Sequence, residues 1–115
     1  MISKDIVVCV DAALDRDTSA QYREQPLAQH WARVAKINEE AGEATAALIA
    51  WTGQNPRKGI CGTLDDLLGE LADAALAGVY AIQHFIKDLT RTQEYLEAAQ
   101  RKHHARAHLD GPCPW

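Results

Sequence analysis

Apolar side chains recur every three or four residues along two stretches of the chain, and this spacing predicts two long helices. In residues 27–52 the apolar positions step by 3, 4, 3, 4 and 3 residues, and residues 63–87 carry a second stripe with helical spacing. The stripes consist of Val34, Ile37, Ala41, Ala44, Leu48 and Trp51, and of Leu64, Leu67, Leu68, Leu71, Ala75, Val79, Ile82 and Phe85 or Ile86. Each helix therefore has one side suited to burial.

The segment between the two stripes contains the signals that end one helix and start the next. Gly53 suits a left-handed C-terminal cap, and Pro56 cannot continue a helical hydrogen-bond ladder. Thr63 begins a capping motif that is completed by Asp66, three residues later. A connection of roughly ten residues permits the two helices to pack antiparallel.

The remaining residues predict weaker elements. A third helix is expected over 90–108, with its best core residues being Tyr95, Leu96 and Ala99. In the N-terminal segment, 1–25, a β-branched run suggests a strand, but the helical context favours a short helix that is followed by a linker over 15–25. The tail, 109–115, contains two prolines and should be irregular.

These elements predict an all-α fold, a single domain built as a bundle of three to four helices. Apolar side chains lie on more than one face of the predicted helices, which exceeds what so few short helices can bury alone. We therefore expect oligomerisation, as a homodimer or homotetramer, to complete the bundle.

Composition and charge argue against several classes of protein. Among the 115 residues 47% are apolar and 24% are charged, with no apolar run near the roughly 20 residues of a membrane helix and no secretory signal, so we expect a cytoplasmic protein without a membrane partner. The net charge of -4 argues against binding a nucleic acid polymer. Three scattered cysteines fit neither a disulfide framework nor a structural zinc site.

Two acidic clusters carry the chemical information. Glu40 and Glu43 on the first long helix, and Glu70 and Asp73 on the second, are spaced i and i+3, so each pair shares one side of its helix. Each acid directly precedes an apolar residue of its helix, which rotates the acid by about 100° from the centre of the apolar stripe and places it at the border of the core. Asp66 extends the second line by one turn. If the helices pack antiparallel, four carboxylates converge, and an all-oxygen ligand set favours Mg²⁺ or Mn²⁺.

The pattern Glu-Glu-x-x-Glu followed by Glu-x-x-Asp, within about residues 35–82, resembles the MazG-type all-α nucleotide pyrophosphohydrolases. The resemblance implies a helical dimer or tetramer whose paired acids bind Mg²⁺ and hold a nucleoside triphosphate, which is cleaved to nucleoside monophosphate and pyrophosphate. By position, the implied metal ligands are Glu40, Glu43, Glu70 and Asp73. Glu39 and Glu40 are the implied catalytic acids, with Glu39 assisting the metal or orienting a water.

Several further residues are candidates for binding the substrate. Lys36 lies one turn before the first acidic cluster, and Arg57 and Lys58 lie in the connecting loop, where they could contact phosphates. Asn38 could hydrogen-bond the nucleotide, and Trp51 could stack on a base, although a buried indole is the more common role.

Other functions compete with this one. A ferritin-like di-iron bundle requires Glu-x-x-His pairs, and no histidine follows the acids in that register. A non-catalytic interaction module and a related phosphoribosyl-ATP pyrophosphohydrolase remain alternatives. The C-terminal group of His103, His104, His108 and Cys113 suggests a transition-metal site, but a polar helix end is the favoured interpretation.

Overall fold

The computed structural model describes residues 2–17 and 24–107, and every regular element in these ranges is an α-helix. This confirms the predicted all-α bundle. The helices are α1 (Lys4–Asp17), α2 (Pro26–Thr52), α3 (Leu64–Ile86) and α4 (Leu89–Ala107).

The long helices α2 and α3 form an antiparallel hairpin, which is the main packing unit of the fold. Near the start of α2, His30 Nδ1 lies 3.0 Å from Nε2 of His84, which belongs to the last turn of α3. At the other end, the Cys61 N–H donates to the carbonyl of Ala50 at 2.9 Å. The first half of one helix therefore faces the second half of the other.

The predicted helix ends of the hairpin are confirmed. Gly53 has φ +70° and its N–H donates to the Ile49 carbonyl at 3.0 Å, while a Cβ at this position would lie 2.8 Å from the Ile60 side chain. Thr63 and Asp66 form a reciprocal capping box, with bonds of 3.1 Å to the Thr63 hydroxyl and 2.8 Å to the Asp66 carboxylate. Asp66 is thus used in the cap and does not extend the acidic line.

Helix α1 packs across α3 and buries Val7, which is 2% exposed. The preference for a helix over a strand in this segment is confirmed. The helix is longer than predicted, because residues 15–17, which were expected to begin a linker, are its last turn. Residues 18–23 of that expected linker lie outside the described residues.

Helix α4 packs against the end of α3 through a polar contact. The hydroxyl of buried Thr92 donates to Oε1 of buried Gln83 at 2.8 Å. Two of the predicted core residues are wrong, because Tyr95 is 54% exposed and Ala99 is also exposed, whereas Leu96 is half-buried. A hydrogen bond between two buried polar groups replaces the aromatic contact that the sequence predicted.

The apolar core of the described residues is small. It consists of Val7, Ala44, Leu67, Ala77, Val79 and Ala81. On α2 the predicted apolar stripe is partly wrong: Val34 is 48% exposed and Trp51 38% exposed, while Arg33 and Glu40 are buried. The neighbouring helices contact this polar edge of α2, so the buried face is rotated from the apolar stripe.

The chain is more extended than a compact domain of its size. Its radius of gyration is 17.6 Å, whereas about 13 Å is typical for this length. Large apolar side chains remain accessible, including Leu27 and Trp31, each 69% exposed. None of the helices in residues 2–17 and 24–107 has an apolar run long enough to cross a bilayer.

Candidate functional site

Three of the predicted metal ligands meet in the middle of the α2–α3 hairpin. One carboxylate oxygen each from Glu40, Glu43 and Glu70 lies within 4.8 Å of the others. Opposite ligands of an octahedral Mg²⁺ are separated by about 4 Å, so small side-chain rotations would bring the three oxygens to coordination distance. Antiparallel packing of the two acidic segments thus brings together three of the four carboxylates that were predicted to converge, without Asp73.

The charges within this cluster are unequally compensated. Lys36 Nζ lies 2.9 Å from Oε1 of Glu40 and 3.2 Å from Oε1 of Glu39. The hydrogen bond from Lys36 lowers the pKa of Glu40. The charge of Glu40 in turn raises the pKa of Glu43, with smaller contributions from its burial, from a hydrogen bond to Glu40, and from Glu70 and Glu39. Repulsion between these carboxylates is what a divalent cation would relieve.

Asp73, the fourth predicted ligand, does not belong to the three-oxygen cluster. It lines a cavity of about 350 Å³ together with Lys36 and Glu40. The cavity is bounded by α1, α2 and α3, and its polar end also includes Arg33. The rest of its wall is largely apolar and is formed by Val10, Leu14, Ala32, Leu76, Ala77, Tyr80 and Ala81. Glu40 is therefore shared between the acidic cluster and a cavity that could hold a small molecule, whereas Glu43 and Glu70 do not line that cavity.

The other predicted substrate-binding residues do not line this cavity. Asn38 is exposed, Trp51 is 38% exposed, and Arg57 and Lys58 belong to the loop that joins α2 to α3. Lys58 lines a different, smaller cavity at the loop, and the Arg57 N–H donates to the Asn55 side chain at 3.1 Å within a turn. Of the five substrate-binding residues proposed from the sequence, the structure places Lys36 at the cavity.

The C-terminal histidine group receives no structural support within the described residues. His103 and His104 are exposed on α4, and neither belongs to a cluster with metal-binding geometry there. His108 and Cys113 lie outside the described residues.

A second polar cluster was missed by sequence reasoning, and we call it the α1 clamp. It consists of Asp11 and Asp15 on α1, Arg33 on α2, and His84 and Lys87 at the end of α3. Lys87 Nζ lies 2.6 Å from Asp11 Oδ2 and 2.8 Å from Asp15 Oδ2. Arg33 Nη2 lies 2.8 Å from Asp15 Oδ1 and 3.5 Å from Asp11 Oδ1. The partners are far apart in sequence, so no local spacing could have revealed the α1 clamp.

The pKa shifts in the α1 clamp follow from burial and pairing. Burial lowers the pKa of His84, and the charges of Arg33 and Lys87 add to this. Burial opposes ionisation of Asp15 and Lys87, but their mutual hydrogen bond and further pairing outweigh it, so the pKa of Asp15 falls and that of Lys87 rises. Both partners of the pair are thereby held in their charged forms.

Asp11, Asp15 and His84 also have ligand atoms within 4.8 Å of one another, as a metal site would require. Arg33 and Lys87 already neutralise the two carboxylates, so the attraction for another cation is small. The α1 clamp is better explained as a structural link. It holds α1, which forms one wall of the cavity, against the α2–α3 hairpin.

Comparison with known proteins adds no family assignment. A scan of family models, a search of curated proteins and a search of solved structures each find no match for this chain. The function must therefore be inferred from the acidic cluster and the cavity beside it.

Proposed function

We propose that this chain is a Mg²⁺-dependent nucleotide pyrophosphohydrolase of the MazG type, which cleaves a nucleoside triphosphate to nucleoside monophosphate and pyrophosphate. The observation that carries the proposal is the convergence of Glu40, Glu43 and Glu70 from two helices, next to a cavity lined by Asp73. An isolated acidic helix face would not combine mutual approach with an adjoining cavity.

The residues present suit a hard divalent cation. Glu40, Glu43, Glu70 and Asp73 would hold Mg²⁺ or Mn²⁺, since all four supply carboxylate oxygens. When bound, the ion would supply charge neutralisation for the phosphates and a more acidic water. The charge of Glu40 raises the pKa of Glu43, and a divalent cation bound between the two carboxylates would oppose their repulsion.

Phosphoryl transfer depends mainly on positioning and charge neutralisation, and it needs no nucleophilic side chain. In the proposed reaction water attacks the α-phosphorus, and the bond to the oxygen that bridges the α- and β-phosphates breaks, with that oxygen leaving in pyrophosphate. We assign to Glu39, whose side chain is 58% exposed and lies 3.2 Å from Lys36 Nζ, the role of accepting the proton of the attacking water.

The cavity suits the less charged part of a nucleotide. Its volume of about 350 Å³ lies at the lower end of the range for small-molecule sites. The base and sugar would lie against the apolar wall, near Tyr80, and the phosphates would extend toward Glu40 and Asp73. Arg33, whose guanidinium pairs with Asp15 at 2.8 Å, also lines the cavity and adds positive charge to its wall.

The proposal includes a homodimer or homotetramer. The small core, the extended shape and the accessible apolar side chains support it. The same exposed side chains favour one alternative, a non-catalytic helical module that binds another protein. Hydrolysis distinguishes the two functions.

The test is an assay of pyrophosphate release from a panel of canonical and modified nucleoside triphosphates, with phosphoribosyl-ATP included for the related activity. We expect turnover with Mg²⁺ or Mn²⁺, none with EDTA, and production of monophosphate and pyrophosphate in equal amounts. Glu43→Gln and Asp73→Asn should abolish turnover while preserving helical circular dichroism. Glu94→Gln, which removes an exposed carboxylate on α4, is the matched control.

Two results would overturn the assignment. One is the absence of hydrolysis across the whole panel with both metals, which would favour the interaction module. The other is full activity of the Glu43 and Asp73 variants, which would place any chemistry elsewhere in the chain.

A further inference from the structure

Lys36 occupies a position between the acidic cluster and the cavity. Its ammonium group contacts Glu40 at 2.9 Å and Glu39 at 3.2 Å, and the same side chain lines the cavity. The side chain is 50% exposed, so it can change its direction without giving up a buried environment. Glu40, by contrast, is only 9% exposed and has little freedom to move.

We infer that Lys36 is an internal counter-ion of the metal-free cluster, which leaves Glu40 when a divalent cation binds and then contacts an anionic group of the ligand in the cavity. This inference rests on the proposed function, because it takes Glu40 to be a metal ligand. It assigns Lys36 a positioning role that is coupled to the metal.

Competition between the two cations follows from their shared carboxylate. A metal ion bound at the Glu40 carboxylate would lie within a few Å of Lys36 Nζ, and the two positive charges would repel. The ammonium group can withdraw because it is carried on a flexible four-carbon stem. Its side chain is half exposed and also lines the cavity, so the ammonium group has a space to move into.

The arrangement also explains why the acids of α2 differ. Lys36 Nζ pairs with the buried Glu40 at 2.9 Å, whereas Glu43 is exposed. The lysine thus stabilises the buried member of the pair while the metal is absent. The exposed member remains available for the first contact with an incoming ion.

Linkage follows from this competition. If metal binding releases Lys36 toward the cavity, the affinity for an anionic ligand rises when the metal is bound. The ligand must raise the affinity for the metal by the same factor, since coupling between two binding sites is reciprocal. Lys36 alone would then couple the binding of the metal to the binding of the anionic substrate.

The experiment measures Mn²⁺ affinity by electron paramagnetic resonance of the free ion. Lys36→Met removes the charge and keeps a side chain of similar length, and we expect it to bind Mn²⁺ roughly tenfold more tightly than the unmodified protein, as Coulomb repulsion over a few Å in screened water predicts. The matched control is Lys102→Met, which makes the same change of net charge on an exposed position of α4 and should leave the affinity unchanged. Circular dichroism and thermal denaturation verify that both variants fold.

A second measurement tests the transfer of Lys36 to the ligand. Inorganic pyrophosphate is the probe, with its binding followed at saturating Mg²⁺. We expect the Lys36→Met variant to bind it roughly tenfold more weakly, although its metal affinity is higher, because the anion then lacks one adjacent positive charge. A variant that gained affinity for both metal and anion would contradict the transfer.

The failures of the two proposals are distinguishable. If the unmodified protein binds Mn²⁺ and the folded Lys36→Met variant binds it equally or less tightly, the counter-ion role is wrong and the proposed metal centre stands. If neither protein binds Mn²⁺ up to millimolar concentrations, the metal centre itself is wrong. Equal gains in the Lys36 and Lys102 variants would show a general effect of net charge and would overturn the specific role of Lys36.

Discussion

Replacing Asp11 by asparagine should loosen α1 without creating a cavity. Asp11 is 5% exposed, and its carboxylate lies 2.6 Å from Lys87 Nζ. Breaking a buried ion pair by removing one partner costs about 3–5 kcal/mol. Lys87 is 47% exposed and Asp15 remains to neutralise it, so we expect a smaller loss, about 2–3 kcal/mol of the free energy of unfolding.

Urea denaturation followed by circular dichroism measures this loss. For a domain of this size, a change of that magnitude corresponds to a fall of about 10 °C or more in the melting temperature. Asp5→Asn is the matched control, because Asp5 lies in the first turn of the same helix and is exposed. Its replacement should cost about 0.3–1 kcal/mol through the helix dipole.

Hydrogen exchange adds a local measurement. Because the α1 clamp joins α1 to the hairpin, amides of α1 should exchange faster in the Asp11 variant, while amides in the middle of α2 and α3 should change less. An Asp11→Asn variant as stable as Asp5→Asn, with unchanged protection of α1, would refute the structural role that we assign to the α1 clamp.

Three further outcomes are expected. The free energy of unfolding should fall as the pH drops below about 6.5, the ordinary pKa of histidine, because burial holds the pKa of His84 below that value and the unfolded chain takes up a proton that the folded chain excludes. The His84→Gln variant should therefore show a weaker dependence of unfolding free energy on pH between about pH 5 and 7. An unchanged dependence would contradict this. Thr63→Ala should cost about 1 kcal/mol in urea denaturation through loss of the capping box, whereas Thr90→Ala at an exposed position should have a smaller effect. Mg²⁺ at about 100 times its dissociation constant should stabilise the protein by about 2.7 kcal/mol, measured in a thermal shift assay. The Glu43→Gln variant should lose this stabilisation. A melting temperature of the unmodified protein that does not respond to Mg²⁺ would contradict the prediction.

Local patterns in the sequence predict most of the fold. Gly53 and Thr63 mark helix ends through their own backbone and side-chain chemistry, so neighbouring residues suffice to find them. The buried face of α2 could not be found in this way. It includes Arg33, whose partners belong to α1, and an apolar periodicity alone assigns the interior to Val34 instead.

In the candidate site, too, local spacing predicts some contacts, whereas contacts between residues far apart in sequence cannot be predicted from it. The spacing of Glu40 and Glu43 places them together on one helix, and a short connection between antiparallel helices brings Glu70 to them. Part of the apolar wall of the cavity also depends on α1, which is distant in sequence and contributes Val10 and Leu14. The contact between Asp11 and Lys87 joins residues 76 positions apart, and no periodicity in either segment indicates it.

One backbone detail at the end of α3 has a consequence for how the chain tolerates change. Lys87 adopts φ +55°, a left-handed geometry in which glycine is the usual residue and other residues cost about 1–2 kcal/mol. Glycine at this position would relieve the backbone strain, but it would remove the ammonium group that pairs with Asp11 on α1. The backbone geometry that favours glycine and the ion pair that requires lysine thus oppose each other at position 87, and the strain of the left-handed residue accompanies a contact that joins two distant helices.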